Sequence, residues 1–257
     1  LYSPYTSLSP LLPQYWLGPN ALTRTQLNAA VPNPFFGYIT EPKAVNLNGR
    51  TIQQYRLFRN MPQYDGVSGS DPNTADSNYH GMQVKLEKRF SNGLSLLTHY
   101  TWSKMIDDVS VTDGNLTWLG GTTSLQNPLN FAQERSLSQH DVKHRVVMTG
   151  AYQLPFGQKK RFGSNMNKWA DGLLGGWELS AFATLQSGFP LQVSQSGGTL
   201  WNGTQRPNLV GDPNTSGSIY SRLNGYFNQN AFTRPAPDTF GSAARVLNMR
   251  GPGVKML

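Results

Sequence analysis

The sequence predicts an all-β chain: an antiparallel transmembrane β-barrel, present as an incomplete segment with long extracellular loops. Three observations predict it. Four runs alternate apolar and polar residues with period two. The links between those runs are very unequal, one being a tight turn and others running to tens of residues. Finally, the composition suits extended chain and turns rather than helices, with 26 Gly, 17 Pro and only 14% charged residues.

A chain of 257 residues is long enough for a sizeable core. Asn, Ser, Thr, Gly and Pro recur throughout it, which excludes a helical bundle or coiled coil. With no Cys, disulfide scaffolds, Cys-ligated zinc and a thiol nucleophile are excluded as well. No apolar run reaches the roughly 18 residues of a spanning helix, a criterion that leaves β-barrels untouched. The formal charge of +8 and pI near 9.7 suggest nucleic acid. The cations are dispersed, however, with Lys159-Lys160-Arg161 the one run and no nucleic-acid motif beside it, so no nucleic-acid partner is expected. The chain opens Leu1-Tyr2-Ser3-Pro4, without initiator Met or signal peptide, and is expected to be cut from a longer protein.

Residues 1–78 are loop-rich with weak strands, interrupted by Pro4, Pro10, Pro13, Pro19, Pro32, Pro34, Pro42, Pro62 and Pro72. A strand is expected over Gln53 to Phe58 and a short helix within Leu22 to Ala30. Residues 79–104 form a hairpin. In its first strand Met82, Val84 and Leu86 oppose Gln83, Lys85, Glu87 and Arg89. Ser91-Asn92-Gly93 makes a three-residue turn, and the return strand sets Leu94, Leu96, Thr98, Tyr100 and Trp102 on one face.

A long loop spans 105–141. Residues 142–187 hold two strands with a basic connector: Val142 to Leu154, then Trp177 to Ser187. In the first, Val142, His144, Val146, Met148 and Tyr152 oppose Lys143, Arg145, Thr149 and Gln153. In the second, Trp177, Leu179, Ala181, Ala183 and Leu185 oppose Glu178, Ser180, Thr184 and Gln186. Residues 188–257 are read as a further long loop. Short turns on one side and long loops on the other are the rule for outer-membrane barrels, whose strands carry aromatic girdles near their ends. Phe90, Tyr100, Trp102 and Trp177 are the girdle candidates. A soluble β-sandwich would show the same alternation, so the alternative is a soluble secreted β-domain that binds polysaccharide or acts as an adhesin.

Several stretches resemble a known family. Tyr79-His80-Gly81-Met82-Gln83-Val84-Lys85-Leu86-Glu87-Lys88-Arg89-Phe90-Ser91-Asn92-Gly93-Leu94-Ser95 and Tyr100-Thr101-Trp102-Ser103-Lys104 are similar to hairpin segments of Oar-like TonB-dependent outer-membrane receptors. So are Asp141-Val142-Lys143-His144-Arg145, Tyr152-Gln153-Leu154-Pro155-Phe156-Gly157 and Gly175-Gly176-Trp177-Glu178-Leu179-Ser180, in the same order. The likeness extends to Gln186-Ser187-Gly188-Phe189-Pro190, Tyr226-Phe227-Asn228, Asn33-Pro34-Phe35-Phe36-Gly37 and Met61-Pro62-Gln63-Tyr64. The resemblance implies a 22-stranded barrel in the outer membrane of a Gram-negative bacterium. It also implies a plug domain, which these residues lack, and the TonB complex as the source of energy. All 257 residues would then be part of one receptor barrel domain serving uptake or surface binding of a solute. Another strand is expected to begin within Gly251 to Leu257.

No catalysis is expected. His140 and His144 have the i, i+4 spacing of a helical zinc site, but on a strand they would lie about 13 Å apart, too far for one metal. No G-x-S-x-G elbow occurs, Asp107-Asp108 are adjacent rather than convergent, and Gly120-Gly121 and Gly197-Gly198 precede no helix. No metal or cofactor is expected. Gln83, Lys85, Glu87, Arg89, Lys143, Arg145, Glu178 and Gln186 are the lumen-facing candidates; their basic excess either favours anionic solutes or simply solvates a wet interior. Trp118, Trp201 and Tyr220 are candidate ligand contacts in the loops.

Overall fold

The computed structural model describes residues 5–7, 10–40, 46–70, 76–108, 125–127, 129–201, 203–217, 220 and 225–256. The chain divides into two compact units. One gathers Leu1–Ser77, Asp107–Ser138 and Gln192–Leu247; the other gathers Asn78–Ile106, Gln139–Leu191 and Asn248–Leu257.

The second unit is an antiparallel sheet. Its strands are β1 (Ser77–Ser91), β2 (Leu94–Asp107), β3 (His144–Gln153), β4 (Glu178–Gln186) and β5 (Val254–Met256), hydrogen-bonded in the order β5-β4-β3-β2-β1. The sheet is open, with β1 and β5 at the ends of that order. The four alternating runs are therefore strands, and the first two extend past their expected ends. The hairpin turn is shorter than expected. Only Asn92 and Gly93 leave the ladder, at φ of 52° and 79°, and two left-handed residues match the right-handed twist of the flanking strands.

Alternation fixes the register. Leu94 faces Tyr152, Tyr100 faces Val146 and Trp102 faces His144 across β2 and β3. Val146 faces Leu185, Met148 faces Ala183 and Tyr152 faces Leu179 across β3 and β4. Residues directly opposite share a face, so these apolar positions form one continuous surface. Arg145 opposite Gln186, Thr149 opposite Phe182 and Gln153 opposite Glu178 lie on the other. Asn92–Gly93 and the connector 154–177 join strands at one end of the sheet. Every longer connection leaves from the opposite end.

The first unit is built from the residues before β1 together with those longer connections. Short antiparallel pairs recur in it: Tyr5–Ser7 with Ser68–Ser70, Ala30–Pro32 with Thr51–Gln53, and Asn208–Leu209 with Phe232–Thr233. Leu11, Trp16, Leu27 and Leu200 form its core cluster, and the Trp16 indole donates to the Leu11 carbonyl at 3.1 Å. The short helix expected within 22–30 is Arg24–Leu27, and Thr23 caps it reciprocally with Gln26.

Two expectations need correction. Gln53 to Phe58 is not a strand: Thr51–Gln53 pairs in a ladder, and Gln54–Leu57 is a helical turn. Its i, i+3 spacing brings Tyr55 and Phe58 toward the same core, where Phe58 stacks on Tyr15 at 4.0 Å and Tyr55 meets Trp201 at 5.1 Å. The region from 188 onward is more than loop. Pro190–Leu191 pairs with Leu247–Arg250, while Val254–Met256, at the sheet edge against β4, is the strand expected to begin within Gly251 to Leu257. The connector 154–177 likewise carries a helix, Lys168–Leu174, capped by the Asn167 side chain.

Candidate functional site

The decisive property of the sheet is what its apolar side chains touch. In a soluble domain they would lie under a second layer. Here Leu86 is 61% exposed, Leu179 60%, Met82 49% and Val84 48%. Leu94, Leu96 and Val146 are half-buried by their strand neighbours. Among the described residues no helix is long and apolar enough to cross a membrane, a statement that leaves strands untouched. An apolar sheet surface of this extent without cover needs an apolar solvent.

A model of a protein family described as an outer membrane beta barrel domain matches residues 17–257. The chain belongs to that family. It is an outer-membrane protein of a Gram-negative bacterium, and its sheet is a stretch of membrane-spanning wall. The alternative of a soluble secreted β-domain is thereby overturned. No curated protein and no solved structure matches the chain.

The lumen candidates fall into local groups. Lys85, Glu87 and Arg89 line one side of β1, where Glu87 takes Lys85 at 2.8 Å and Arg89 at 3.5 Å. Gln83 lies on the same strand and is exposed. Arg145 faces Gln186 in the ladder, and Glu178 accepts from the Gln153 amide at 3.3 Å. Lys143 precedes β3, and its carbonyl accepts from the Ser103 N–H at 3.1 Å. A hollow of about 540 Å³ lies against the middle of the sheet, bordered by Lys85, Glu87 and Arg89 and by a floor that includes Leu97, Ala151 and Phe182.

Of the girdle candidates, Phe90 and Trp177 are exposed beside strand ends, and Trp102 is exposed within β2, which runs on to Asp107, opposite His144 at the start of β3. Tyr100 is half-buried, and its hydroxyl bonds His144 Nδ1 at 2.9 Å. That contact occupies one nitrogen of the second histidine of the pair weighed as zinc ligands. Among the loop candidates, Trp118 lies outside the described residues. Trp201 is half-buried, with the Arg24 guanidinium 5.8 Å over its ring, and Tyr220 is exposed.

Sequence reasoning missed a group of buried charges. Asp107 ends β2 and Glu134 lies in the connection after it, and each meets an arginine from beyond residue 190: Glu134 pairs with Arg206 and Asp107 with Arg245. Gln126 adds three bonds, donating to the Gly241 carbonyl and accepting the N–H groups of Arg206 and Gly241. In the sheet unit Asp141 takes Arg250 and also accepts the Met105 N–H. The first unit is thus a folded body held by paired charges, and loop composition alone carries no sign of it.

Proposed function

We propose that the chain is the wall and extracellular loops of an Oar-like TonB-dependent receptor, which binds or takes up a solute and performs no catalysis. The observations that carry this reading are a loop unit that folds as a body of its own and a membrane-spanning sheet whose strands resemble that family. A general pore needs only a polar lumen, whereas a receptor needs a preformed binding surface at the mouth. The unit offers aromatic and cationic groups on a rigid base, with Trp201 under Arg24 and beside Tyr55.

In this reading Gln83, Lys85, Glu87, Arg89, Lys143, Arg145, Glu178 and Gln186 line the water-filled interior or meet a plug domain. Phe90, Tyr100, Trp102 and Trp177 sit at the lipid interface. Outer-membrane lipid, a plug and the TonB complex are the partners, and nucleic acid is not among them. The test is planar-bilayer conductance of the full protein in potassium chloride, with co-purification on the periplasmic domain of TonB. Silent bilayers and retention on TonB are expected. Steady open-pore currents with no retention would sink the reading.

A further inference from the structure

The connector between β3 and β4 is built inside out. Its helix Lys168–Leu174 turns Asp171 inward, where Oδ1 accepts the Gln158 N–H at 2.6 Å. Outward it presents Trp169, 87% exposed, and Leu173, 74% exposed. Leu174, Phe156 and Phe162 are exposed as well. An amphipathic helix in water shows the reverse arrangement.

This connector is not a slack loop. Phe156 and Phe162 pack at 5.7 Å, Phe162 donates its N–H to the Pro155 carbonyl, and Gln158 Nε2 donates to the Met166 carbonyl. Trp177 Nε1 donates to the Leu173 carbonyl at 2.9 Å, and the Trp177 carbonyl accepts the Leu154 N–H. The exposed apolar groups are therefore held in place. Beside them stand Lys159, Lys160, Arg161 and Lys168, all exposed. None of these four takes part in an ion pair among the described residues. The one acid of the connector, Asp171, is turned inward.

Position supplies the last step. The connector lies at the end of the sheet that holds the Asn92–Gly93 turn, and the Gln153 N–H donates to the Gly93 carbonyl at 2.8 Å. Short turns of outer-membrane barrels lie on the periplasmic side. Aromatic and aliphatic side chains ringed by cations, at a membrane–water boundary, match an anionic lipid surface.

We propose that the 154–177 connector is an interfacial anchor that seats Trp169 and Leu173 in the periplasmic leaflet and binds anionic phospholipid headgroups through Lys159, Lys160, Arg161 and Lys168. The chain has no Cys, so a single Leu173→Cys carries a polarity-sensitive fluorophore at one known place. The full protein, refolded in dodecyl maltoside micelles, is titrated with phosphatidylglycerol, phosphatidylcholine or lipopolysaccharide. Each cation near an anionic surface is worth about fivefold in affinity. Phosphatidylglycerol should therefore shift the fluorophore at a mole fraction at least about tenfold lower than phosphatidylcholine does.

Changing Lys159→Glu, Arg161→Glu and Lys168→Glu together should abolish that preference. It leaves intact the bond from Lys160 Nζ to Gln153 Oε1 at 3.3 Å. Unchanged heat-modifiable gel mobility shows that the triple variant still folds. Equal response to the two phospholipids, a preference that survives charge reversal, or a stronger response to lipopolysaccharide would each overturn the anchor. So would a fluorophore fully open to iodide in phosphatidylglycerol vesicles, the result if a periplasmic protein covers the patch. None of these outcomes depends on TonB or on the solute.

Discussion

Glu134 shows how much a single side chain carries in the loop unit. Its carboxylate is fully buried, pairs with Arg206, and accepts the N–H groups of Gln126 and Asn127 at 3.1 and 2.8 Å. Replacing one member of a buried pair strands the other charge without water, which costs about 3–5 kcal/mol. Glu134→Ala should lower the unfolding free energy of the loop unit by that amount, read from its urea unfolding curve. The double change Glu134→Leu with Arg206→Met should cost less than the single one, and a double as damaging as the single would argue against an ionic role. Asp212 makes a quieter prediction at the surface. Its Oδ1 accepts the N–H and then the side-chain amide of Asn214, both at 2.9 Å, and these bonds hold its carboxyl below the usual carboxylate range. A carboxyl lowered in the folded state stabilises above its unfolded pKa, and the benefit is lost as pH falls through the folded value. Carbon-13 titration of Asp212 should therefore give a midpoint below that of the urea-unfolded chain, and Asp212→Ala should erase any acid-side loss traced to this turn.

Elements were legible in the sequence where a short-range rule decides them. Asn92-Gly93 announces a tight turn because few other pairs tolerate two positive φ values. At Gly93 a Cβ would lie 2.9 Å from the Gln153 carbonyl oxygen, so both conformation and space require glycine. Gly93→Val should slow refolding of the hairpin and cost about 1–2 kcal/mol, read as a drop in thermal midpoint in micelles. A neutral result would mean that the turn does not set the β1–β2 pairing. The four strands were legible for the same local reason: alternation with period two survives whatever lies outside. Gln53 to Phe58 was misread because Tyr55 and Phe58 answer to Tyr15 and Trp201, partners remote in sequence. Apart from the short helix Arg24–Leu27, the loop unit was illegible, since its ties join residue 134 to 206 and 107 to 245. A lone Arg in a Gly- and Asn-rich stretch reads as surface until its carboxylate partner is known.

For the molecule as a whole, everything turns on which solvent meets Met82, Val84 and Leu86. They alternate with Gln83, Lys85 and Glu87, so in a membrane wall with a wet interior neighbouring positions on β1 would meet opposite media one residue apart. Val84→Arg places a cation in hydrocarbon and should cost about 2–4 kcal/mol in phosphatidylcholine vesicles, whereas Lys85→Ala should cost little. Spin labels placed singly along residues 82–87 carry the same test without a charge. Labels at even positions should be reached by oxygen, which dissolves in the bilayer, and those at odd positions by a water-soluble nickel chelate. Six successive sites then give an oscillation of period two. If instead all six favour the nickel chelate, the apolar row faces water or a protein cavity. The exposure of Leu86 and Leu179 would then have to be explained by a covering protein layer. Oscillation with the opposite phase would put Lys85 and Glu87 against lipid, and their ion pair would become a membrane-facing liability rather than part of a wet interior.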